Sequence, residues 1–346
     1  MKFGLSLPTL TGYPRASEPD GATRRRYELS YEICELAEDL GFDLVTIGQH
    51  RFTPENIDSP APMVTLAALA ARTNRLRLCT NIMLLATHNA IEVAEQAAVV
   101  DEISGGRLTL GVGIGHRSYE FAGAGLDIRD RLPRLQEALD LLRLAWTGEP
   151  IDFEGRFYGL RAATFAPRPV QRPSIPIWYG ALADGAILRA ARIADGWLTE
   201  NVESVYSLAA KADRYRKEAA ENSRPAVVAL NRRGGIGPTR EYIDGIYLPP
   251  ILERIRIYVK NGVTFGDMDF MAKLAANEHI GLEDMPKGQL IAGTPVDCIE
   301  AVRLCKEQVD PDWLICDFGR GAYGGEYERL RTAIELFGRE VMPEFR

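Results

Sequence analysis

The sequence is short of most things that would mark an unusual protein. Histidine occurs only four times in 346 residues and cysteine five times. The cysteines, Cys34, Cys79, Cys298, Cys305 and Cys316, are odd in number, and no two are spaced as CxxC. A disulfide framework needs pairs and a zinc site needs closely spaced ligands, so free thiols in a reducing compartment are the simple account. No regular His/Cys/Asp/Glu cluster is present, and no metal is expected. Excess positive charge is missing too: 41 Lys and Arg stand against 48 Asp and Glu, a formal charge of −7. That balance argues against nucleic acid or an anionic membrane surface as a partner. The one compact basic run, Arg24-Arg25-Arg26, opens a helical pattern and reads as a solvated face. No run approaches the roughly 18 apolar residues of a membrane helix, and the opening MKFGLSLP reads as a strand rather than a leader. A cytoplasmic protein is expected. Walker loop, HExxH and Ser-centred elbow are absent as well.

What is present is alternation. Short apolar runs at 3–7, 43–49, 75–81, 108–112, 175–179, 195–199, 226–231 and 313–318 read as strands. Helical periods fall at 27–40, 62–73, 90–104, 133–146, 183–194, 202–222, 295–307 and about 326–340, several closed by glycine such as Gly41 or Gly105-Gly106. Eight strands, mostly separated by helices, fit an α/β fold of the (β/α)8 TIM-barrel kind better than a doubly wound open sheet. The expectation is a single barrel domain over 1–346 with loop insertions at about 152–173 and 232–293. Insertions of that length in compact domains commonly serve as lids or substrate walls. The second contains Pro249-Pro250 and a helical stretch near 251–261.

Chemistry-bearing residues gather at strand ends. The stretch GRLTLGVGIGHRSYEF (106–121) runs from the fourth strand into Gly111, Gly113 and Gly115, then into His116 and Arg117. G-x-G-x-G is not the dinucleotide fingerprint G-x-G-x-x-G. On a barrel, this turn lies on the C-terminal face, where bare backbone would admit a phosphate or a flat ring. A tight packing turn is the alternative, and the segment alone does not choose. Gly180-Ala181, between a strand and a helix, admits the same two readings. His50 closes the second strand in TIGQHRF, where its ordinary pKa suits acid–base work; a satisfied hydrogen-bonding residue is the alternative. His88 most simply caps or precedes a helix, and His279 carries no signal.

In combination these pieces resemble the bacterial luciferase-like flavin-dependent monooxygenase superfamily. The similar segments are KFGLSLPT at the start, GFDLVTIGQHRF at the second strand and the run from NRLRLCTNIMLLATHNAIEVAEQ to GVGIGHRSYEFAGAGLD. RLQEALDLLRLAWTGEPIDFEGRFYGL, RPSIPIWYGALADGAILRAARIADGWL and IAGTPVDCIEAV continue the likeness. The resemblance is dense over about 1–200 and thin over about 201–290. It implies a barrel enzyme that uses reduced FMN (FMNH2) and O2, through a C4a-(hydro)peroxyflavin, to oxidise a small organic substrate. A separate NAD(P)H:flavin reductase and a homodimer are implied with it. An F420-dependent oxidoreductase moving hydride without O2 is the alternative, and a non-catalytic flavin-binding protein a further one.

By residue, the resemblance implies a catalytic His50 near the flavin. It also implies a non-prolyl cis peptide near Asn81-Ile82 beside the ring, and Gly111, Gly113 and Gly115 leaving room for ring and ribityl chain. Gly180 and Ala181 are implied to meet the phosphate through backbone N–H groups, with His116 and Arg117 nearby. Gln49 stands where the family often has an acidic residue, with Asp common in F420 users, which counts mildly against F420. Gly113 and Ile114 replace the Cys and Arg of the luciferase proper, which counts against light emission.

Overall fold

A computed structural model of the chain describes residues 1–7, 21–52, 59–201, 203–260, 267–319 and 326–346. Residues 8–9 of the opening motif, residue 202 of an expected helix and 261–266 of the second insertion lie outside the described residues. The strands are β1 (Lys2–Ser6), β2 (Leu44–Ile47), β3 (Arg77–Thr80), β4 (Leu108–Val112), β5 (Ile151–Glu154), β6 (Gly159–Ala163), β7 (Ile177–Gly180), β8 (Gly196–Leu198), β9 (Val227–Ile236), β10 (Leu290–Gly293) and β11 (Trp313–Asp317). The α-helices are α1 (Ala22–Asp39), α2 (Pro62–Ala70), α3 (Ala90–Ser104), α4 (Ser118–Gly123), α5 (Arg131–Ala145), α6 (Asp184–Ile193), α7 (Val205–Glu221), α8 (Arg240–Ile246), α9 (Leu248–Lys260), α10 (Met268–Ala275), α11 (Pro295–Val309) and α12 (Glu326–Leu336).

Local chemistry sets the boundaries. Asn89 caps α3 by accepting the Ile91 N–H, and Gly105 ends it at φ +65°. Thr294 and Asp297 form a capping box at the start of α11, with Pro295 in its first turn. β2, β4 and β11 are buried along their whole length, as mostly apolar parallel strands covered on both faces are.

The chain divides into two compact units. One comprises Leu10–Cys34 and Val45–Gly180. In it β3 pairs with β4 (Leu78 opposite Leu108) and β4 with β7 (Gly111 opposite Trp178), both parallel. The other comprises Met1–Thr9, Glu35–Leu44 and Ala181–Arg346. There β8 pairs with β9, β9 with β11 and β11 with β1, again parallel, and β10 runs beside the end of β9. The strand order β1-β2-β3-β4-β7-β8-β9-β11, with the additional β8–β9 pairing, is that of a (β/α)8 barrel.

These eight strands are those expected from the sequence. The insertions carry more structure than expected: 152–173 holds the antiparallel hairpin β5–β6, and 232–293 holds α8, α9, α10 and β10. α8 to α10 and β10 bury an apolar cluster of their own that includes Tyr247, Ile251, Ile255, Phe270 and Leu274. Among the described residues no helix is long and apolar enough to cross a membrane.

Candidate active site

Three strand ends of the unit containing Val45–Gly180 carry the chemistry. After β2 come Gln49, His50 and Arg51. His50 Nδ1 lies 3.1 Å from Glu120 Oε1, and the same oxygen accepts the Arg51 N–H at 2.8 Å. Glu120 sits in α4 with its side chain 1% exposed, while that of His50 is 18% exposed. Burial by itself would raise the Glu120 pKa. The hydrogen bonds from His50 and Arg51, with the charge of Arg117, outweigh it and hold the carboxyl below its ordinary range. Glu120 is therefore an ionised carboxylate at neutral pH. Its other oxygen, Oε2, is buried and has no hydrogen-bond partner among the described residues.

Gln49 is 2% exposed and bonded on both ends of its amide. Its carbonyl accepts the Leu84 N–H at 2.9 Å and faces His88 Nε2 at 3.0 Å, and its amide donates to Pro60 O at 3.3 Å. A carbonyl only accepts, so His88 must carry its proton on Nε2. Burial, then the charge of Arg51, pushes the His88 pKa down to about 3, which keeps the ring neutral. The β5–β6 hairpin braces this corner. The Tyr158 hydroxyl accepts the Ala90 N–H at 3.0 Å and donates to His88 O at 3.3 Å. Glu137 in α5 accepts the Phe157 and Tyr158 N–H groups, both at 2.8 Å.

At the end of β3 the Asn81–Ile82 peptide bond is cis. Both residues are half-buried. Asn81 N–H donates to Ile47 O at 2.7 Å, and Met83 N–H to Gly111 O at 2.8 Å, which stitches this corner to β2 and β4. The glycines behind it serve Ile82. A Cβ on Gly113 would stand 1.8 Å from Ile82 Cδ1, and one on Gly180 would stand 2.9 Å from Ile82 Cγ2.

The expected site residues separate accordingly. Asn81, Ile82, Gly113 and Gly180 come together, while His50 pairs with Glu120 and His116. At Gly113 the Ile82 side chain lies directly over the bare backbone. Gly111 is a buried strand residue whose carbonyl accepts the Thr80 hydroxyl at 2.7 Å. Gly115 adopts φ +76°, a conformation that favours glycine, and a Cβ there would meet the Phe121 ring at 3.0 Å. His116 is exposed and stands edge-on to His50, ring centroids 6.2 Å apart. Arg117 donates to the Tyr119 hydroxyl at 3.0 Å. Ala181 belongs to the other unit. Its N–H donates to Leu198 O at 3.3 Å and its carbonyl accepts the Trp197 indole N–H at 2.9 Å. Glu120 and Gln49 were not picked out as working residues from the sequence, and His88 enters as a partner of Gln49 while Asn89 does the capping. Among the described residues, no group of His, Cys, Asp and Glu could hold a metal ion.

Comparison with known proteins gives this arrangement a context. Residues 1–309 match the family model described as luciferase-like monooxygenase. The chain is 30% identical, over 99% of its length and 94% of the relative's, to an FMNH2-dependent dimethylsulfone monooxygenase of Pseudomonas putida. It is 34% identical to an F420-dependent glucose-6-phosphate dehydrogenase of Nakamurella multipartita, over 56% of each chain. Among solved structures, a monooxygenase from Streptomyces bottropensis superposes over 100% of both chains with a TM-score of 0.82 at 24% identity.

Proposed function

The chain belongs to the luciferase-like monooxygenase family, and from that premise we propose that it is the oxygenase of a two-component system. It takes reduced FMN from a separate NAD(P)H:flavin reductase and uses O2 to oxidise a small organic substrate. The observation that carries this reading is the half-open edge at the ends of β2 and β3. There His50 has one ring nitrogen engaged by Glu120, and Ile82 stands forward of two bare backbones. The degree of kinship supports FMN: the FMNH2-dependent relative is 30% identical over 99% of the chain, against 25% over 91% for an F420-dependent glucose-6-phosphate dehydrogenase of Nocardia farcinica. A relative in Acinetobacter baylyi, a trigonelline monooxygenase, is described as an oxygenase component, which supports a separate reductase.

The residues present fit reduced FMN. Asn81 and Ile82 offer a half-buried edge, part amide and part aliphatic, against which a flat ring can lie. Arg117 is half-buried, and beyond its bond to the Tyr119 hydroxyl and its attraction to Glu120 its guanidinium can still donate to a phosphate. When bound, reduced FMN supplies the electrons and activates O2; the protein supplies position and a water-poor surface. Ile82 and the aliphatic residues behind it keep water from the ring, and His50 holds or takes a proton at Nε2. Gln49, by fixing Leu84 and His88, keeps the wall in register.

The test is an anaerobic titration of apo protein with oxidised and reduced FMN and with oxidised and reduced F420, followed by mixing with O2. Preferential binding of reduced FMN and O2-dependent product formation from a candidate substrate are expected. His50→Ala should lower turnover roughly 100-fold, the scale of a lost proton-transfer group. Tight binding of reduced F420 with no response to O2 would overturn the proposal and assign hydride transfer instead.

A further inference from the structure

The bond between His50 and Glu120 does more than place a ring. We propose that the two form a charge-paired dyad, in which buried Glu120 is a positioning residue that holds His50 as its Nδ1–H tautomer and leaves Nε2 as the proton acceptor of the site. What Nε2 acts upon rests on the functional reading above; the geometry of the dyad does not.

An ionised carboxylate has no proton to give, so at 3.1 Å the hydrogen between Glu120 Oε1 and His50 must come from Nδ1. A free imidazole in water favours the opposite tautomer, with the proton on Nε2. Glu120 therefore reverses an intrinsic preference. A proton accepted by Nε2 makes an imidazolium whose Nδ1–H stays on Oε1. Nothing passes to the carboxylate, and the new positive charge faces a buried negative one. Among the described residues Oε2 has no hydrogen-bond partner, and His50 and the Arg51 N–H are the groups that bond this carboxylate directly. The other ionisable groups around the pair are Arg51, the exposed His116 against His50, Arg117 at the start of α4, and Arg131, which donates to Gly115 O.

The backbone carrying His50 is fixed at two further points. Phe52 adopts φ +64°, a left-handed conformation uncommon for an aromatic residue, and persists there only if its surroundings hold it. Its ring lies against Gly123 of α4, where a Cβ would stand 2.5 Å from Phe52 Cε2. Glu120 and Gly123 thus receive Arg51 and Phe52 from one helix, and the Gly115 turn is pinned below by Phe121, which is fully buried. Such a clamp serves a ring whose orientation matters.

The experiment reads the tautomer directly in apo protein, with 15N-labelled histidine and long-range 1H–15N correlation spectra; with four histidines, His50→Asn assigns the signal. Neutral wild-type His50 should show a protonated Nδ1 and a bare Nε2. Glu120→Gln, whose carbonyl still accepts, should keep that pattern, and Glu120→Ala should move the proton to Nε2. With reduced FMN, Glu120→Ala should lower kcat at least tenfold with little change in KM for the flavin, and Glu120→Gln should recover part of the loss. A wild-type His50 protonated on Nε2 would overturn the proposal, even were Glu120→Ala not to fold; so would a tautomer indifferent to Glu120→Ala. The expected tautomers in a protein that does not bind reduced FMN would support the dyad and sink the functional reading instead.

Discussion

Replacing Gly113 by alanine puts a methyl carbon 1.8 Å from Ile82 Cδ1, a separation no pair of non-bonded carbons sustains. Gly113 is not among the residues with positive φ, so the objection to a side chain there is one of space alone. Relief must come from Ile82 leaving its rotamer or from a backbone shift, and over-packing of this kind costs about 1–3 kcal/mol. The Ile82→Val change removes only Cδ1. The atoms then nearest the new methyl are Cγ1 at 3.2 Å and Cβ at 3.7 Å, tight but close to ordinary contact. Ile82→Val alone should cost roughly 0.5 kcal/mol, the low end for this change because the residue is half-buried. In the Ile82→Val background, Gly113→Ala should then cost less than about 1 kcal/mol, an interaction energy of about 1–2 kcal/mol. Gly180 supplies the control. Its alanine would meet Ile82 Cγ2 at 2.9 Å, an atom valine keeps, so Ile82→Val should not rescue Gly180→Ala. Urea unfolding of the single and double variants, followed by circular dichroism, measures each term. A Gly113→Ala that is neutral, or equally costly in both backgrounds, refutes the idea that Ile82 is what this glycine accommodates.

Two further outcomes follow from buried groups. The His88 pKa is near 3 in the fold against an ordinary value of 6.5, so below pH 6.5 the unfolded chain binds a proton that the folded chain refuses. Its contribution to stability is complete above pH 6.5 and should fall by up to about 1.4 kcal/mol per pH unit down to about pH 3. His88→Asn should flatten that slope, and melting curves between about pH 7 and pH 5 that fall equally in both proteins would contradict it. The five cysteines are all buried, and burial pushes the Cys79 thiol up to about 12. None should react with an aromatic disulfide in the native protein, while all five should in denaturant; one fast native equivalent would show that a thiol is accessible.

The barrel was legible because its strands are short apolar runs buried on both faces, and that pattern needs no partner to be read. β5 and β6 lack it. Ile151 is the only buried residue of β5 and β6, whose other positions are half-buried or exposed, and what fixes the hairpin is Tyr158 reaching the start of α3. β10 escaped notice because it hydrogen-bonds only the far end of a strand that runs longer than its apolar core suggests. At the site, His50 could be placed because it closely follows the second strand. Glu120 could not, because its meaning lies in a residue 70 positions earlier, and in its own segment it is one more acidic residue on a short helix.

The glycines and Gln49 show a subtler limit. Bare backbone reports that something approaches closely, but not what. At Gly113 and Gly180 the visitor is Ile82, so a flavin would feel these glycines only through the side chain they let forward. Gln49 looked like a choice between cofactors because an acid is common at that position. In the fold its amide is committed to Leu84, His88 and Pro60. An acid there could still accept from Leu84 N–H and His88, but it would lose the donor to Pro60 and place a charge at a site 2% exposed. The glutamine at position 49 therefore fits how this corner is wired, whichever flavin the site takes.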